Sequence, residues 1–541
     1  MFEQIFNMSV KNLLISSALF LLGISVSAKD VFPTPRQIRF TGGVSRCDKA
    51  EFIEDRSVPA DGYSIEATRH SVIVKYSTMG GKLYANLTLD ALGTVSVKRN
   101  GKLIREIPCC IVNDYPRCRW RGLLLDSGRQ YQSVETIKAK LDLLFSLKMN
   151  VMHWHLTEGL GWRLEIKKYP ELTQTGAYVG KGPEQQGFYT QEQVRDLVRY
   201  AAERNITIVP EIDIPGHAEA ALYSYPEYGC FGERAEIPKT GFTDCIFCAG
   251  KDSTLEFLKD ILDEVCEIFP SEYIHLGGDE APKGNYDRCP DCQRRIKENG
   301  LKDSHELQLW LSAQMAAYLK AKGRKAIFWE DVIGNADYLL PDNVVIQWWN
   351  YRANGEKNYR KALEEGYPVI CSPNYYMYLN FPETPWKGYG KDRTFSLEDA
   401  YLRNPADRVL SEDNPQTLGM ECALWTDYGL TEDMLDSRLF PRIYAVAELM
   451  WRGKVLSFEE LLEAIQKRKD ESVSRKPHSA YRRVLIGRGA PQTNTAVTYA
   501  QLQEGTGINM SAVQKIVKSL QTKGFVERHN NNGDWQVLLA Q

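Results

Sequence analysis

The sequence predicts an α/β fold: a (β/α)8 TIM barrel with an N-terminal α+β domain and a small C-terminal winged-helix-like segment. Three observations predict it. Short apolar segments alternate with helix-periodic stretches eight times between about residues 116 and 455; residues 29–115 alternate apolar and polar side chains; and residues 491–541 read as helix, turn, helix and hairpin.

At the N-terminus, Lys11 precedes an uncharged apolar stretch from Leu13 to Val26 and small residues at Val26-Ser27-Ala28. Residues 1–28 therefore read as a cleavable signal peptide, and the chain as exported, periplasmic or secreted. No later segment offers about 20 consecutive apolar residues, so no membrane span is expected in the mature chain. The α+β domain follows over 29–115, with period-two stretches at Tyr63 to Glu66, Ser71 to Tyr76 and Thr94 to Lys98. Ile107 to Arg117, with Pro108 and Pro116, reads as the linker out of it.

In the barrel region, 116–455, the strand candidates are Arg121 to Asp126, Asn150 to Thr157, Thr207 to Ile212 and Tyr273 to Gly277. Lys325 to Trp329, Val344 to Trp348, Pro368 to Ser372 and Leu418 to Leu424 complete the set. Between them, Val134 to Leu147, Gln191 to Glu203, Leu255 to Ile268 and Glu306 to Lys322 repeat apolar residues at helical spacing. Residues 456–490 read as a helix and linker.

The tail reads as a helix over Thr498 to Glu504, a second through Leu520, and a hairpin of Phe525 to His529 with Trp535 to Leu539. That order resembles a winged helix-turn-helix. Lys515, Lys518, Lys523 and Arg528 are nearly cancelled by Glu504, Glu527 and Asp534, so no nucleic acid is expected as partner and the tail reads as a packing or interaction appendage.

Composition narrows the function. The 541 residues carry a formal net charge of −3 without a long run of one sign, which excludes an evident polyanion binder. Eleven Trp and 28 Tyr exceed the ordinary needs of packing, and aromatic faces suit the apolar face of a sugar ring. Twelve Cys leave two readings open. They form disulfides or buried thiols, or the CxxC pairs Cys245/Cys248 and Cys289/Cys292 hold one structural Zn.

In a (β/α)8 barrel, residues just past the strand C-termini face the active site. Here these are Arg129, Glu158, His217, Asp279 with Glu280, Trp329, Trp349, Tyr378 with Asn380, and Trp425 with Asp427. Within His275-Leu-Gly-Gly-Asp-Glu280 the glycines let two consecutive carboxylates leave strand geometry and reach one cavity. Two carboxyl groups are the usual equipment for glycoside hydrolysis. A nucleophile and an acid commonly come from different strands so as to flank the bond, so neighbouring carboxylates favour a nucleophile supplied by the substrate.

Over roughly Val31 to Arg452 the chain resembles glycoside hydrolase family 20, the β-N-acetylhexosaminidases. The motifs that carry this are Arg121-Gly-Leu-Leu-Leu-Asp-Ser-Gly-Arg129, His153-Trp-His-Leu-Thr-Glu158 with Gly161-Trp-Arg163, and Pro210-Glu-Ile-Asp-Ile-Pro-Gly-His217. His275 to Glu280, Trp329-Glu330, Gln347-Trp-Trp349, Tyr378-Leu-Asn380 and Glu421-Cys-Ala-Leu-Trp425 add to them. The resemblance implies an exo-acting enzyme that releases terminal GlcNAc or GalNAc from a glycan or glycoconjugate with retention.

On that pattern the 2-acetamido oxygen attacks the anomeric carbon, Glu280 is general acid and then base, Asp279 holds the acetamido N–H, and Tyr378 holds its oxygen. Trp329, Trp349 and Trp425 would box the acetamido methyl and ring face. Arg129 would bind the 3- and 4-hydroxyls, Asn380 and Asp427 the 4- and 6-hydroxyls, and Glu158 with His217 would tune Glu280. Glu158 and Asp427 stand where many family members carry Asp and Glu. Glu280 is expected to have a raised pKa, from partial burial among the Trp residues and from Asp279. A lacto-N-biosidase-like enzyme on the same fold, or a non-catalytic carbohydrate-binding protein, would share much of this pattern.

Overall fold

Period-two and period-3.6 patterning resolve into two kinds of layer in the computed structural model. It describes residues 31–45, 49–97, 103–237, 243–333 and 338–475, and in the tail 497–498, 526–531 and 534–539. The expected signal peptide lies outside the described residues, and among them no helix is long and apolar enough to cross a membrane.

The N-terminal region forms a six-stranded sheet: β1 (Gln37–Ser45), β2 (Glu51–Glu54), β3 (Tyr63–Ala67), β4 (Val72–Tyr76), β5 (Thr94–Val97) and β6 (Leu103–Asp114). The order is β1-β6-β3-β4-β2, with β5 on β6. The helix Met79–Leu92 covers it, starting at Thr78, whose hydroxyl accepts from Gly81 N.

The segment expected as a linker is instead largely strand. β6 runs through Pro108, because its neighbour changes there. Residues 103–106 pair with β5 and 110–114 with β3, so Pro108 falls in the gap where no ladder bond is asked of its nitrogen on that edge.

Eight parallel strands then close into a barrel in the order of the sequence. They are β7 (Trp120–Asp126), β8 (Val151–His155), β11 (Thr207–Glu211), β12 (Tyr273–His275), β13 (Lys325–Trp329), β14 (Val344–Trp348), β15 (Val369–Cys371) and β16 (Thr417–Leu424). A two-stranded hairpin, β9 (Thr157–Glu158) and β10 (Gly161–Trp162), interrupts the series after β8. All eight expected strands are present, and expected helices appear at Val134–Ser146, Gln191–Ala202, Asp252–Ile268 and Ser304–Ala321. Their starts are set by side chains: Ser133 accepts from Thr136 N, Thr190 and Gln193 form a capping box, and Asp303 accepts from His305 N and Glu306 N.

Alternate strand residues point inward and stack in tiers. The lowest is apolar: Trp120, Val151, Val209, Ile327, Val345 and Ile370 pack together. Two residues further along the strands the tier is polar. Glu211 accepts from Trp329 Nε1 (2.9 Å) and meets His153 Nε2 (3.0 Å) and His275 Nδ1 (3.2 Å), while Glu421 takes His153 Nδ1 (2.7 Å), Gln347 Nε2 and Trp120 Nε1 (both 2.8 Å). Burial opposes a charge on His153, but Glu421 and Glu211 lift its pKa to about 9, so the tier carries internal counter-charge. This polar floor fixes the level of the tier above it.

The tail, taken by itself, contains an antiparallel sheet of β17 (Val497–Thr498), β18 (Val526–Asn531) and β19 (Asp534–Leu539), in the order β17-β19-β18. The expected hairpin is there, closing at Asn531 opposite Asp534. Thr498, expected to open the first helix, instead ends β17; the rest of that helix, the second expected helix with Lys515 and Lys518, and Lys523 lie outside the described residues.

Candidate active site

Ten of the eleven side chains expected at the strand ends converge. Arg129, Glu158, His217, Asp279, Glu280, Trp349, Tyr378, Asn380, Trp425 and Asp427 line one cavity of about 700 Å³ at the C-terminal end of the barrel. Trp329 departs from expectation. As the last residue of β13 it belongs to the tier below, 1% exposed, with its ring 5.8 Å from that of Trp425, which it underpins from the floor. Trp349, one residue past the end of β14, does reach the cavity, as does Trp425.

The acid pair owes its position to the two glycines after β12. Gly277 has φ 63° and lies against Asp213, so that a Cβ there would come within 1.7 Å of Asp213 Oδ1; Gly278 has φ 95° and donates its N–H to the same oxygen (3.1 Å). Gln308 Nε2, from the helix Ser304–Ala321, holds the Gly278 carbonyl at 2.7 Å. Past this turn Glu280 itself adopts φ 46°, and His217, facing it, adopts φ 51°. Two non-glycine residues in the left-handed region, each costing about 1–3 kcal/mol, mark a backbone held in place by its surroundings.

His217 ties the polar wall together. Its Nδ1 lies 2.7 Å from Glu158 Oε1, and its Nε2 is 3.8 Å from both Asp279 Oδ2 and Glu280 Oε2. Glu158 also pairs with Arg129, which reaches Asp126 Oδ2 at 2.9 Å and lies over the Trp425 ring. Burial resists charge on both members of the Glu158–His217 pair. Arg129 and His217 nevertheless hold Glu158 down to about 2, and Glu158 with Asp279 lifts His217 to about 10.

The pair Asp279 and Glu280 is pushed the other way. Burial, then the nearby Asp213, raises the Asp279 carboxyl well above its ordinary range. Partial burial raises Glu280, opposed by His217 and reinforced by Asp331 and Glu158. The expected rise is present, with Asp331 and Glu158 as its reinforcing neighbours in place of Asp279. Asp331 sits two residues beyond β13, accepts Trp349 Nε1 at 2.7 Å and receives the Glu280 backbone N–H at 3.3 Å. The sequence alone does not single it out; its place behind Trp329-Glu330 at a strand end is the available signal.

The apolar wall is aromatic. Trp349 stacks on Tyr378 with centroids 6.3 Å apart and planes 13° from parallel; Trp425 stands 6.1 Å from Tyr378. Opposite, Asn380 Nδ2 donates to Tyr389 OH (2.8 Å) and Asp427 Oδ1 (3.3 Å), and the Tyr389 hydroxyl donates to Asp427. Tyr389 is a second residue missed in the sequence, because it comes from a loop away from any strand end. Chemically, the cavity offers a carboxyl kept protonated beyond its usual range, a buried partner carboxyl, aromatic faces, and a rim of hydroxyl-binding groups.

The sequence profile of the glycosyl hydrolase family 20 catalytic domain matches residues 118–454, the barrel that carries all of these side chains. The chain belongs to glycosyl hydrolase family 20.

It is 38% identical over 408 residues to a beta-hexosaminidase of Porphyromonas gingivalis, covering 72% of this chain and 51% of that protein. With a beta-hexosaminidase of Akkermansia muciniphila it shares 30% identity over 412 residues, 74% of this chain and 82% of the other. The chain spans about half the length of the Porphyromonas relative and 64% of a Vibrio furnissii beta-hexosaminidase. Among solved structures, a beta-N-acetylhexosaminidase from Bacteroides fragilis superposes with a TM-score of 0.77 at 50% identity, over 82% of this chain and 96% of that one.

The cysteines depart from the expected grouping. The eleven described are all unpaired, and the two CxxC motifs do not supply one four-cysteine set. Cys248, Cys289 and Cys292 converge with Cys230, and Cys245 is left out.

Proposed function

We propose that this chain is an exo-acting β-N-acetylhexosaminidase that releases terminal GlcNAc or GalNAc from glycans, with retention and with the substrate's own acetamido group as nucleophile. The observation that carries the reading is the side-by-side arrangement of Asp279 and Glu280, both 3.8 Å from His217 Nε2, in a cavity walled by Trp349, Tyr378 and Trp425. A carboxylate pair gathered at one imidazole suits one proton donor and one positioning group.

In the first step the acetamido carbonyl oxygen forms a bond to the anomeric carbon as the glycosidic C–O bond breaks. Glu280 gives its proton to the departing oxygen, and a cyclic oxazolinium is left in the site. The raised pKa of Glu280 keeps that proton available near neutral pH. Asp279 accepts the acetamido N–H. Its burial beside Asp213 makes its ionised form costly until positive charge develops on the substrate nitrogen, so its contribution grows toward the intermediate. The Tyr378 hydroxyl steers the acetamido oxygen.

In the second step Glu280, now a carboxylate, takes a proton from water as the water oxygen bonds to the anomeric carbon. The oxazolinium C–O bond opens and the acetamido group is restored. Trp349 and Trp425 enclose the acetamido methyl and ring face. Arg129 serves the 3- and 4-hydroxyls, and Asn380 and Asp427 the 4- and 6-hydroxyls. Residues 1–28 support export of the enzyme to the periplasm or outside the cell, where glycan substrates are met.

The test is release of p-nitrophenol from β-linked GlcNAc and GalNAc aryl glycosides, beside Glu280→Gln and Asp279→Asn. Activity that falls about 10²–10⁴-fold in both variants supports the reading. A folded wild-type protein that cleaves neither monosaccharide, but does cleave a disaccharide aryl glycoside, overturns it in favour of a biosidase.

A further inference from the structure

Two loops leave the barrel beside the candidate catalytic residues and meet again at four cysteines. The first follows His217 and carries Cys230 and Cys248; the second follows Glu280 and carries Cys289 and Cys292. Cys230 is 8% exposed and the other three cysteines are fully buried. Their sulfurs all lie within 4.8 Å of one another, with Cys248 to Cys292 at 3.6 Å, Cys248 to Cys289 at 3.8 Å and Cys230 to Cys292 at 4.0 Å.

These separations discriminate between chemistries. A disulfide needs about 2.05 Å between sulfurs, and four cysteines joined as two disulfides would show two short distances and several long ones. Four thiolates around one Zn²⁺, each about 2.3 Å from the metal, form a tetrahedron with edges of about 3.8 Å. The three sulfur–sulfur distances scatter about that value.

The surrounding chain is built for such a centre. Cys289 immediately precedes the nine-residue helix Pro290–Glu298 and Cys292 lies in its first turn, where the positive end of the helix favours thiolate. Gly250, two residues after Cys248, touches the backbone of that turn so closely that a Cβ would lie 2.3 Å from Cys292 N. Lys251 Nζ reaches the Gly229 carbonyl (2.6 Å), and Arg294 and Arg295 both reach the Gly250 carbonyl (3.1 Å). These contacts hold the cysteine-bearing loops together, while Arg294 and Arg295 also pair with Asp291 and Asp252. Tyr286 OH, donating to the Phe247 carbonyl at 2.8 Å, joins the second loop to the first.

We propose that Cys230, Cys248, Cys289 and Cys292 hold one Zn²⁺ in a closed, tetrahedral four-thiolate site that fastens the His217 loop to the Glu280 loop. The site is structural: all four positions are filled by protein, so none is open to water or substrate. By joining these loops it fixes the relative placement of His217 and Glu280, a positioning role exerted from nine residues beyond Glu280. Cys245 takes no part.

The experiment is metal analysis of the purified full chain, expressed with added Zn²⁺, for wild type and for Cys230→Ser, Cys292→Ser and Cys245→Ser. The expected result is one equivalent of zinc in wild type and in Cys245→Ser, and loss of zinc from the other two. In wild type, chelation under denaturing conditions releases four additional alkylatable thiols without any reductant, and Co²⁺ in place of Zn²⁺ gives the thiolate-to-cobalt charge-transfer absorption of a tetrahedral site. Wild-type protein without zinc, or with these cysteines alkylatable only after reduction, overturns the proposal even if the serine variants fail to fold. So does a Cys245→Ser protein depleted of zinc while Cys230→Ser retains it.

Discussion

His217 and Glu158 form a buried ion pair, Nδ1 to Oε1 at 2.7 Å, whose imidazole turns its other nitrogen toward Asp279 and Glu280 at equal distances of 3.8 Å. Glu158 is held down to about 2 from an ordinary 4.5 and His217 up to about 10 from 6.5. The depressed carboxyl contributes stability that is present above pH 4.5 and lost as pH falls toward 2. The raised imidazole contributes stability that is complete below pH 6.5 and lost as pH climbs toward 10. Both contributions are whole only between pH 4.5 and 6.5. Glu158→Gln is expected to cost about 3 kcal/mol in that window and distinctly less at pH 3 and pH 9. Denaturant unfolding of both proteins across pH checks it; a pH-independent difference would remove the ion pair from the account.

Asp331 raises the Glu280 pKa and also accepts the Trp349 indole N–H. Asparagine keeps an acceptor for the indole and removes the charge. In Asp331→Asn the Glu280 carboxyl therefore titrates lower, and the basic limb of kcat/KM moves toward acid. A basic limb that stays in place or moves to higher pH shows that Asp331 does not act on Glu280 through its charge.

Tyr389 connects to Asp427 and Asn380 on the rim and makes no contact with the acid pair among those described. Tyr389→Phe leaves Asp427 short of one donor. The expected outcome is a KM raised about tenfold with little change in kcat, since binding in ground and transition state is weakened alike. Steady-state kinetics on the nitrophenyl substrates decide it; a fall in kcat at constant KM would assign Tyr389 to the chemical step instead.

Gly277 admits no side chain, because a Cβ would meet Asp213 Oδ1 at 1.7 Å and the residue holds φ 63°. Gly277→Ala is expected to displace Asp279 and Glu280 and to lower kcat/KM at least about 100-fold, with Tm reduced by several degrees. An alanine variant with wild-type kinetics would mean that the turn does not set the acid pair.

The barrel was legible because each strand is a short, buried apolar run bounded by turn residues, and because the intervening segments keep a helical period. The strand-end rule then named ten cavity residues. It went astray at Trp329 because it does not count tiers: alternation along β13 assigns that residue to the level of Glu211 and Gln347, one below the cavity. Pro108 reads as a linker residue because a change of partner along one edge of β6 leaves no trace in one strand's sequence. Tyr389 and Cys230 stand alone in long loops, where no local spacing joins them to their partners. Cys245 had the opposite fault, a CxxC spacing without the spatial neighbours.

The central claim, that the substrate's acetamido oxygen is the nucleophile, is tested most directly by the hydrolysis rates of nitrophenyl β-glucosaminides whose N-acetyl group carries zero, one, two or three fluorines. Fluorine withdraws electrons from the carbonyl oxygen without adding a charge. The account predicts that kcat/KM falls progressively, by orders of magnitude across the series, and that the corresponding β-glucoside without the acetamido group is not cleaved. Equal rates along the series, or ready cleavage of the glucoside, would contradict it and move the nucleophile onto the protein.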